Sequence, residues 1–169
     1  MKRCFSIIFM LALIATAASA QSAADLKAFE GTWKCTGVAF ASETAPEHAS
    51  AASVTGRWIM NGKWMDVHYK EVKTAKNPHP VEAEILMSYD QGAKKLVAGS
   101  IDNGGGYSTQ ESSGWSSDML TLAGPYNMGG AKMNYRDVFT RKGANTMLHT
   151  GEIEMNGSWK KIDEQTCKK

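Results

Sequence analysis

Past residue 30 this chain is a succession of short segments of alternating polarity, and its long connections fall at alternate turns. The segments read as about ten β-strands. Turns two, four, six and eight are read as tight: Asn61-Gly62, Asp90 to Ala93, the stretch after Trp115, and Lys142 to Ala144. Turns one, three, five and seven are read as long: Ala41 to Ala52, Thr74 to Pro80, Asp102 to Gly106, and Gly124 to Ala131. In an up-and-down meander the odd turns lie at one end of the sheet and the even turns at the other. Closing such a sheet gives a tight bottom and a loop-rimmed mouth, the organisation of a ligand-holding barrel. The expected fold is therefore all-β: a single up-and-down antiparallel barrel of about ten strands, with a short N-terminal helix at its closed end.

The strands alternate clearly. Met65, Val67 and Tyr69 share a face against Asp66, His68 and Lys70. Val81, Ala83, Ile85, Met87 and Tyr89 share one against Glu82, Glu84 and Ser88. Met133, Tyr135, Asp137 and Phe139 alternate with Asn134, Arg136 and Thr140, and Met147, His149, Gly151, Ile153 and Met155 with Thr146, Thr150, Glu152 and Glu154. One wet and one apolar face on each strand fits a sheet wrapped around a single interior. Upstream, Ser22 and Asp25 supply an N-cap and a first-turn acid, with Leu26 and Phe29 on one face and Gly31 as a stop. This predicts one helix over 22–30.

The first twenty residues read as a segment removed before folding. Lys2 and Arg3 precede an apolar run from Phe5 to Ile14, followed by the small residues Ala18-Ser19-Ala20. That is the layout of a Sec-type signal peptide (1–20) cut before Gln21, which leaves one domain over 21–169 and predicts a periplasmic or secreted protein. The apolar run is too short to span a bilayer comfortably, so no stable membrane insertion is expected after cleavage. Of 19 basic and 17 acidic residues, Lys2 and Arg3 leave with the peptide, so the remainder is formally neutral. With no long basic cluster, nucleic acid is not an expected partner.

Three cysteines occur, and Cys4 belongs to the leader. Cys35 and Cys167 remain, an even pair in an oxidising compartment, which predicts a disulfide. Strand direction supports it. Cys35 lies early in the first strand and Cys167 late in the tenth, at one level if those strands are neighbours. Trp33, Trp58, Trp64 and Trp115 fall toward the same end and predict a tryptophan-rich plug beneath the helix.

At Gly31-Thr-Trp33 the sequence resembles the opening of lipocalin-like, calycin-type barrels. Gly56-Arg-Trp58, Gly62-Lys-Trp64, Tyr89-Asp90, Leu120-Thr-Leu122 and Tyr135-Arg-Asp-Val138 extend the resemblance. In this order they resemble a bacterial family of exported lipocalin-like proteins catalogued as a domain of unknown function. The resemblance implies a calycin-like barrel and carries no established activity. More distantly, Gly31-Thr-Trp33-Lys-Cys35-Thr-Gly37 is similar to the Gly-x-Trp-x-Gly-x-Gly run of nitrobindin-type ten-stranded haem barrels, with Cys35 in place of a glycine. That group ligates haem through a histidine near the C-terminus, where Gln165 to Lys169 offers none.

The interior supplies the candidate site. His149 is the one histidine that alternation places on an apolar face, where it reads first as a buried polar residue satisfied by a neighbour and second as a ligand- or metal-contacting group. Pairing Arg141 with Asn145 across a three-residue turn puts Asp137 opposite it, with Tyr135 one step along. A facing carboxylate stabilises the charged imidazole. Met65, Met87, Met133, Met147 and Met155 map to inner faces, where thioethers act as adaptable filler or as a pliable ligand lining; copper(I) is the less favoured reading. Tyr69 also points inward. His48, His79, Tyr107, Tyr126 and Met128 belong to the mouth loops or lie beside them, and His68 points outward. No nucleophile elbow, zinc-protease motif or phosphate loop is present. The expectation is a non-enzymatic carrier or sensor that binds an apolar or amphipathic small molecule in the barrel and needs no cofactor. A haem protein and a module with a filled barrel are the alternatives.

Overall fold

The computed structural model describes residues 22–42 and 46–169, so the expected leader lies outside the described residues. Ten strands run in chain order: β1 Gly31–Ala39, β2 His48–Ile59, β3 Trp64–Glu71, β4 Glu82–Asp90, β5 Lys95–Asp102, β6 Tyr107–Ser112, β7 Met119–Met128, β8 Ala131–Gly143, β9 Thr146–Met155 and β10 Ser158–Lys168. Each pairs antiparallel with its sequence neighbours, and β1 pairs with β10, closing the barrel. Closure leaves no free sheet edge.

A 3-10 helix, Ala23–Phe29, covers one end. Ser22 caps it: its Oγ accepts from the Ala24 N–H at 3.2 Å while the Asp25 carboxylate accepts from the Ser22 N–H at 3.1 Å. Leu26 and Phe29 are buried under this cap. Gly56 permits the close approach, since a Cβ there would stand 2.1 Å from the Phe29 carbonyl oxygen. Trp33 donates its ring N–H to the Phe29 carbonyl, and Trp115 donates to that of Asp25 at 3.0 Å. Trp58 packs against the same core. Trp64 does not join the plug. It lies on the outer face beside Leu86, because the Trp58–Met65 register that turns Met65 inward turns its neighbour outward.

The disulfide forms. Cys35 and Cys167 are Cα partners across the β1–β10 seam, with an S–S bond of 2.01 Å. Above the helix, Met65, Met87, Leu96, Leu120 and Met147 fill the lower barrel. Full burial of such side chains contributes roughly 1.5–3 kcal/mol each.

The alternation of turn lengths holds at turns one and three; turn five, 103–106, is no longer than turn four, 91–94, and the pattern fails outright at seven. There Gly129 and Gly130, at φ 58° and 83°, make a two-residue turn between Met128 and Ala131. Two consecutive positive φ values suit the twist of a hairpin. Turn six, from 113 to 118, is longer than expected. Pro125, which suggested a loop, sits inside β7 where pairing with β6 lapses between Glu111–Ala123 and Ser108–Tyr126. A proline is tolerated there because no ladder partner requires its missing N–H.

Candidate functional site

The upper half of the barrel interior is polar. Asp137 and His149 both face inward, but the hairpin register differs from the expected one. Strand β8 carries an irregularity between Arg141 and Gly143, and a two-residue turn follows, so Arg141 pairs with Met147 and His149 with Phe139. Asp137 stands opposite Gly151. The two-residue turn and the extra residue together move the pairing by two positions, a whole pleat, which preserves the faces. Asp137 then reaches His149 along the diagonal, with Oδ1 2.8 Å from Nε2.

Asp137 is held from three sides. Besides His149, Tyr135 donates its hydroxyl to Oδ1 at 2.7 Å, and the Gln110 amide donates to Oδ2 at 2.8 Å. On the far side of the imidazole, Nδ1 lies 3.2 Å from Asp163 Oδ1. That pair is close enough for ionic attraction but off hydrogen-bond geometry, and Asp163 Oδ1 is buried without a hydrogen-bond donor. The ring also stacks obliquely on Phe139, centroids 5.0 Å apart. Sequence reasoning missed Asp163, which lies in the last strand. Only the β10–β9 pairing, Gln165 with His149 and Asp163 with Gly151, brings it beside the imidazole. Gly151 makes the room: a Cβ there would stand 2.2 Å from Asp163 Oδ2.

Two carboxylates dominate the electrostatics. Burial alone would push the imidazolium of His149 toward deprotonation, but Asp163 and Asp137 outweigh it and carry its pKa from 6.5 up to about 10. Burial would likewise raise the carboxyl of Asp137, yet the hydrogen bond and charge of His149, with Gln110 and Tyr135, hold it below the usual range. Burial, followed by the Asp137 charge, drives the Tyr135 phenol far upward.

A second cluster adjoins the first through β10. Gln165, 2 % exposed, donates from Nε2 to Ser50 Oγ at 2.9 Å and to the Tyr69 hydroxyl at 2.7 Å. The Ser50 and Tyr69 hydroxyls each donate a hydrogen bond to Glu71 Oε1 at 3.1 Å. The Asn77 amide and the Val81 N–H satisfy Glu71 Oε2, each at 2.9 Å, tying the β3–β4 loop to the rim. Higher still, Tyr126 donates to Asp102 at 2.7 Å. Glu71, Asp102 and Tyr126 also line a cleft of about 650 Å³ at the mouth, together with His79, Pro80 and Met128.

The interior is less tightly closed at mid-height than at the base. The side chains of His149, Asp137 and Asp163 retain 17 %, 18 % and 23 % of their accessible surface although all three face the lumen. The lower row is closed, with Met65 and Leu120 fully buried.

Of the other sequence candidates, Met65, Met87 and Met147 pack in the apolar lower core, and Met133 is half-buried. Met155 is exposed near the β9–β10 turn, and Val81 precedes β4 and is exposed, so neither lines the interior. Tyr107 is also turned outward. It borders an outer-face groove of about 830 Å³ with Trp64, Leu86, Ile101 and Pro125, because it alternates with the buried Ser108. His48 opens β2 and bonds to the Pro46 carbonyl at 3.0 Å. His68 lies outside between Glu82 and Glu84. The donor set does not suit haem at His149, since both ring nitrogens face carboxylates. Among the described residues, no three His, Cys, Asp or Glu side chains converge to hold a metal ion.

Fold and site together define a closed ten-stranded antiparallel barrel with an apolar base and an ionisable inner chamber. The chain belongs to the family described as "Protein of unknown function (DUF1579)", whose profile matches residues 19–169. No curated protein matches it. Among solved structures it is similar to Rv2717c from M. tuberculosis, with a TM-score of 0.63 at 7 % identity over 88 % of this chain and 99 % of that one. Identity that low establishes shared fold alone. No helix of the described residues is long and apolar enough to cross a membrane.

Proposed function

We propose that this protein is an exported, non-enzymatic binder of a small amphipathic molecule, a carrier or sensor whose site is the upper barrel interior. The observation that carries the reading is the accessible surface left on inward-facing His149, Asp137 and Asp163 at mid-height, above a fully packed base. A barrel stabilised only by its core gains nothing from ionisable groups facing an open lumen, whereas binding sites combine apolar walls with a few placed polar groups. Glu71, Asp102 and Tyr126 belong both to the inner wall and to the mouth cleft, which gives the ligand an entry route between the loops. The polar upper wall favours an amphipathic ligand over a purely apolar one. Export rests on the leader-like sequence and on the disulfide, which persists in oxidising compartments.

Native mass spectrometry of the protein purified without detergent tests this. The expected result is a 1:1 small-molecule adduct, present on isolation or acquired from a cell extract, and lost on denaturation. A chain that carries no adduct and takes up none overturns the reading, and a Soret band in its absorption spectrum replaces it with the haem alternative.

A further inference from the structure

Around His149 and Gln165 the inner chamber has spent its N–H donors and kept acceptors, with one hydroxyl proton of the Ser100–Ser108 pair left over higher in the wall. As an imidazolium, His149 directs one N–H to Asp137 and turns the other to Asp163. Tyr135 and Gln110 donate to Asp137. The hydroxyl protons of Ser50 and Tyr69 both go to Glu71. Those two oxygens can therefore only accept from Gln165, which fixes its amide with the NH₂ toward them and Oε1 away. Gln165 Oε1 is buried and without a donor, and so is Asp163 Oδ1. Asp163 Oδ2 likewise receives no hydrogen bond among the described residues, while its side chain keeps accessible surface toward the lumen. A buried acceptor left in this state is destabilising until a donor reaches it.

Charge points the same way. Asp137, Asp163 and Glu71 stand against the single positive charge of His149, and no lysine or arginine of the described residues pairs with any of them. An anionic head group would meet carboxylates with no free N–H to receive it. A neutral ligand would leave the excess negative charge uncompensated. A bare metal ion would find no converging ligand set.

We propose that the chamber takes an organic cation, a primary ammonium or amidinium on a short apolar body, which delivers its N–H groups to the Asp163 carboxylate. The inference rests on the interior-binding reading above and names the class of its ligand. The charged end sits beside Asp163 in the ionisable layer. The apolar body lies in the lumen toward the mouth, among Tyr69, Tyr126 and Met133. Gly151 is part of this design, because a side chain there would occupy the place of the Asp163 carboxylate.

Isothermal titration calorimetry at pH 7 with three probes of equal tail, octylamine, octan-1-ol and octanoate, tests it on the intact disulfide-bonded chain. Octylamine is expected to bind 1:1 at least tenfold more tightly than the other two. In Asp163→Asn its affinity is expected to fall at least tenfold while that of octanol changes less than twofold. Octanol or octanoate binding as well as octylamine overturns the cation inference and leaves the chamber as a binding site. Octylamine binding equally to wild type and Asp163→Asn overturns it too, by placing the amine elsewhere. If none of the three binds, the interior reading falls with it. Should Asp163→Asn fail to fold, the order of the three probes on the wild-type chain decides alone.

Discussion

Asp137 and His149 meet across a diagonal: Oδ1 is 2.8 Å from Nε2 although Asp137 is paired with Gly151 and His149 with Phe139. A diagonal contact depends on both side chains leaning along the strands. The wall enforces this, with Tyr135 and Gln110 holding the carboxylate and Phe139 flanking the ring. Removing the Asp137 charge therefore tests the pair without disturbing its shape. Asp137→Asn is expected to lower the His149 pKa by at least one unit from about 10, and stability by about 1–3 kcal/mol, less than a fully broken buried pair because Asp163 remains. An NMR titration of the ring resonances in both proteins checks this, and identical midpoints refute the pairing.

The same group sets a pH dependence of stability. The folded pKa of His149 is raised above its unfolded value, so the folded state binds the proton more tightly. Its contribution is fully present below about pH 6.5 and is lost as pH rises through about 10. Asp137 works in reverse. Its folded pKa is depressed, so its contribution is present above about pH 4 and is lost as pH falls through the lowered folded value. Urea unfolding at pH 6, 8 and 10 is expected to show declining stability in wild type and a flatter profile in His149→Gln.

The disulfide closes a separation of 132 residues between strands that are already paired. In the chain-entropy model a loop of that length is worth about 5 kcal/mol, acting mainly on the unfolded chain. The Cys35→Ser/Cys167→Ser double variant is expected to keep the barrel's circular dichroism and to unfold at markedly lower urea. An unchanged midpoint contradicts the expectation.

Two glycines on inner faces differ in what they spare. A Cβ at Gly37 would stand 1.9 Å from the backbone carbonyl oxygen of Glu164, whereas at Gly151 it meets the side chains of Asp163 and Tyr135. Backbone cannot give way without opening the β1–β10 seam, so Gly37→Ala is expected to cost about 2–3 kcal/mol or more. Gly151→Ala is expected to cost about 1 kcal/mol, while displacing Asp163 and weakening octylamine at least fivefold. Paired unfolding and calorimetry on the two variants read both effects.

Much of this architecture is legible in the chain because it depends on period and parity. Alternation marks the inner faces of β3, β4, β8 and β9, and two surviving cysteines at opposite ends of a meander imply the seam that joins them. Turn seven was less legible. Glycine and proline between 124 and 131 suggest a loop, while the actual strand continues through Pro125 where its neighbour happens not to pair. The register of β8 with β9 was hidden for a related reason, since the two-residue turn and the irregular residue near Lys142 together shift every pair by two without changing any face. Asp163 was illegible, because nothing near it in sequence marks it as a partner of His149; the barrel had to close first.

The most direct test of an interior site is the ring of His149 itself. In a two-dimensional NMR titration of the intact protein with octylamine, the His149 resonances are expected to shift saturably at 1:1, while those of His68 on the outer wall stay fixed. Saturation with His68, or neither ring, moving would place the ligand outside the barrel and contradict the account.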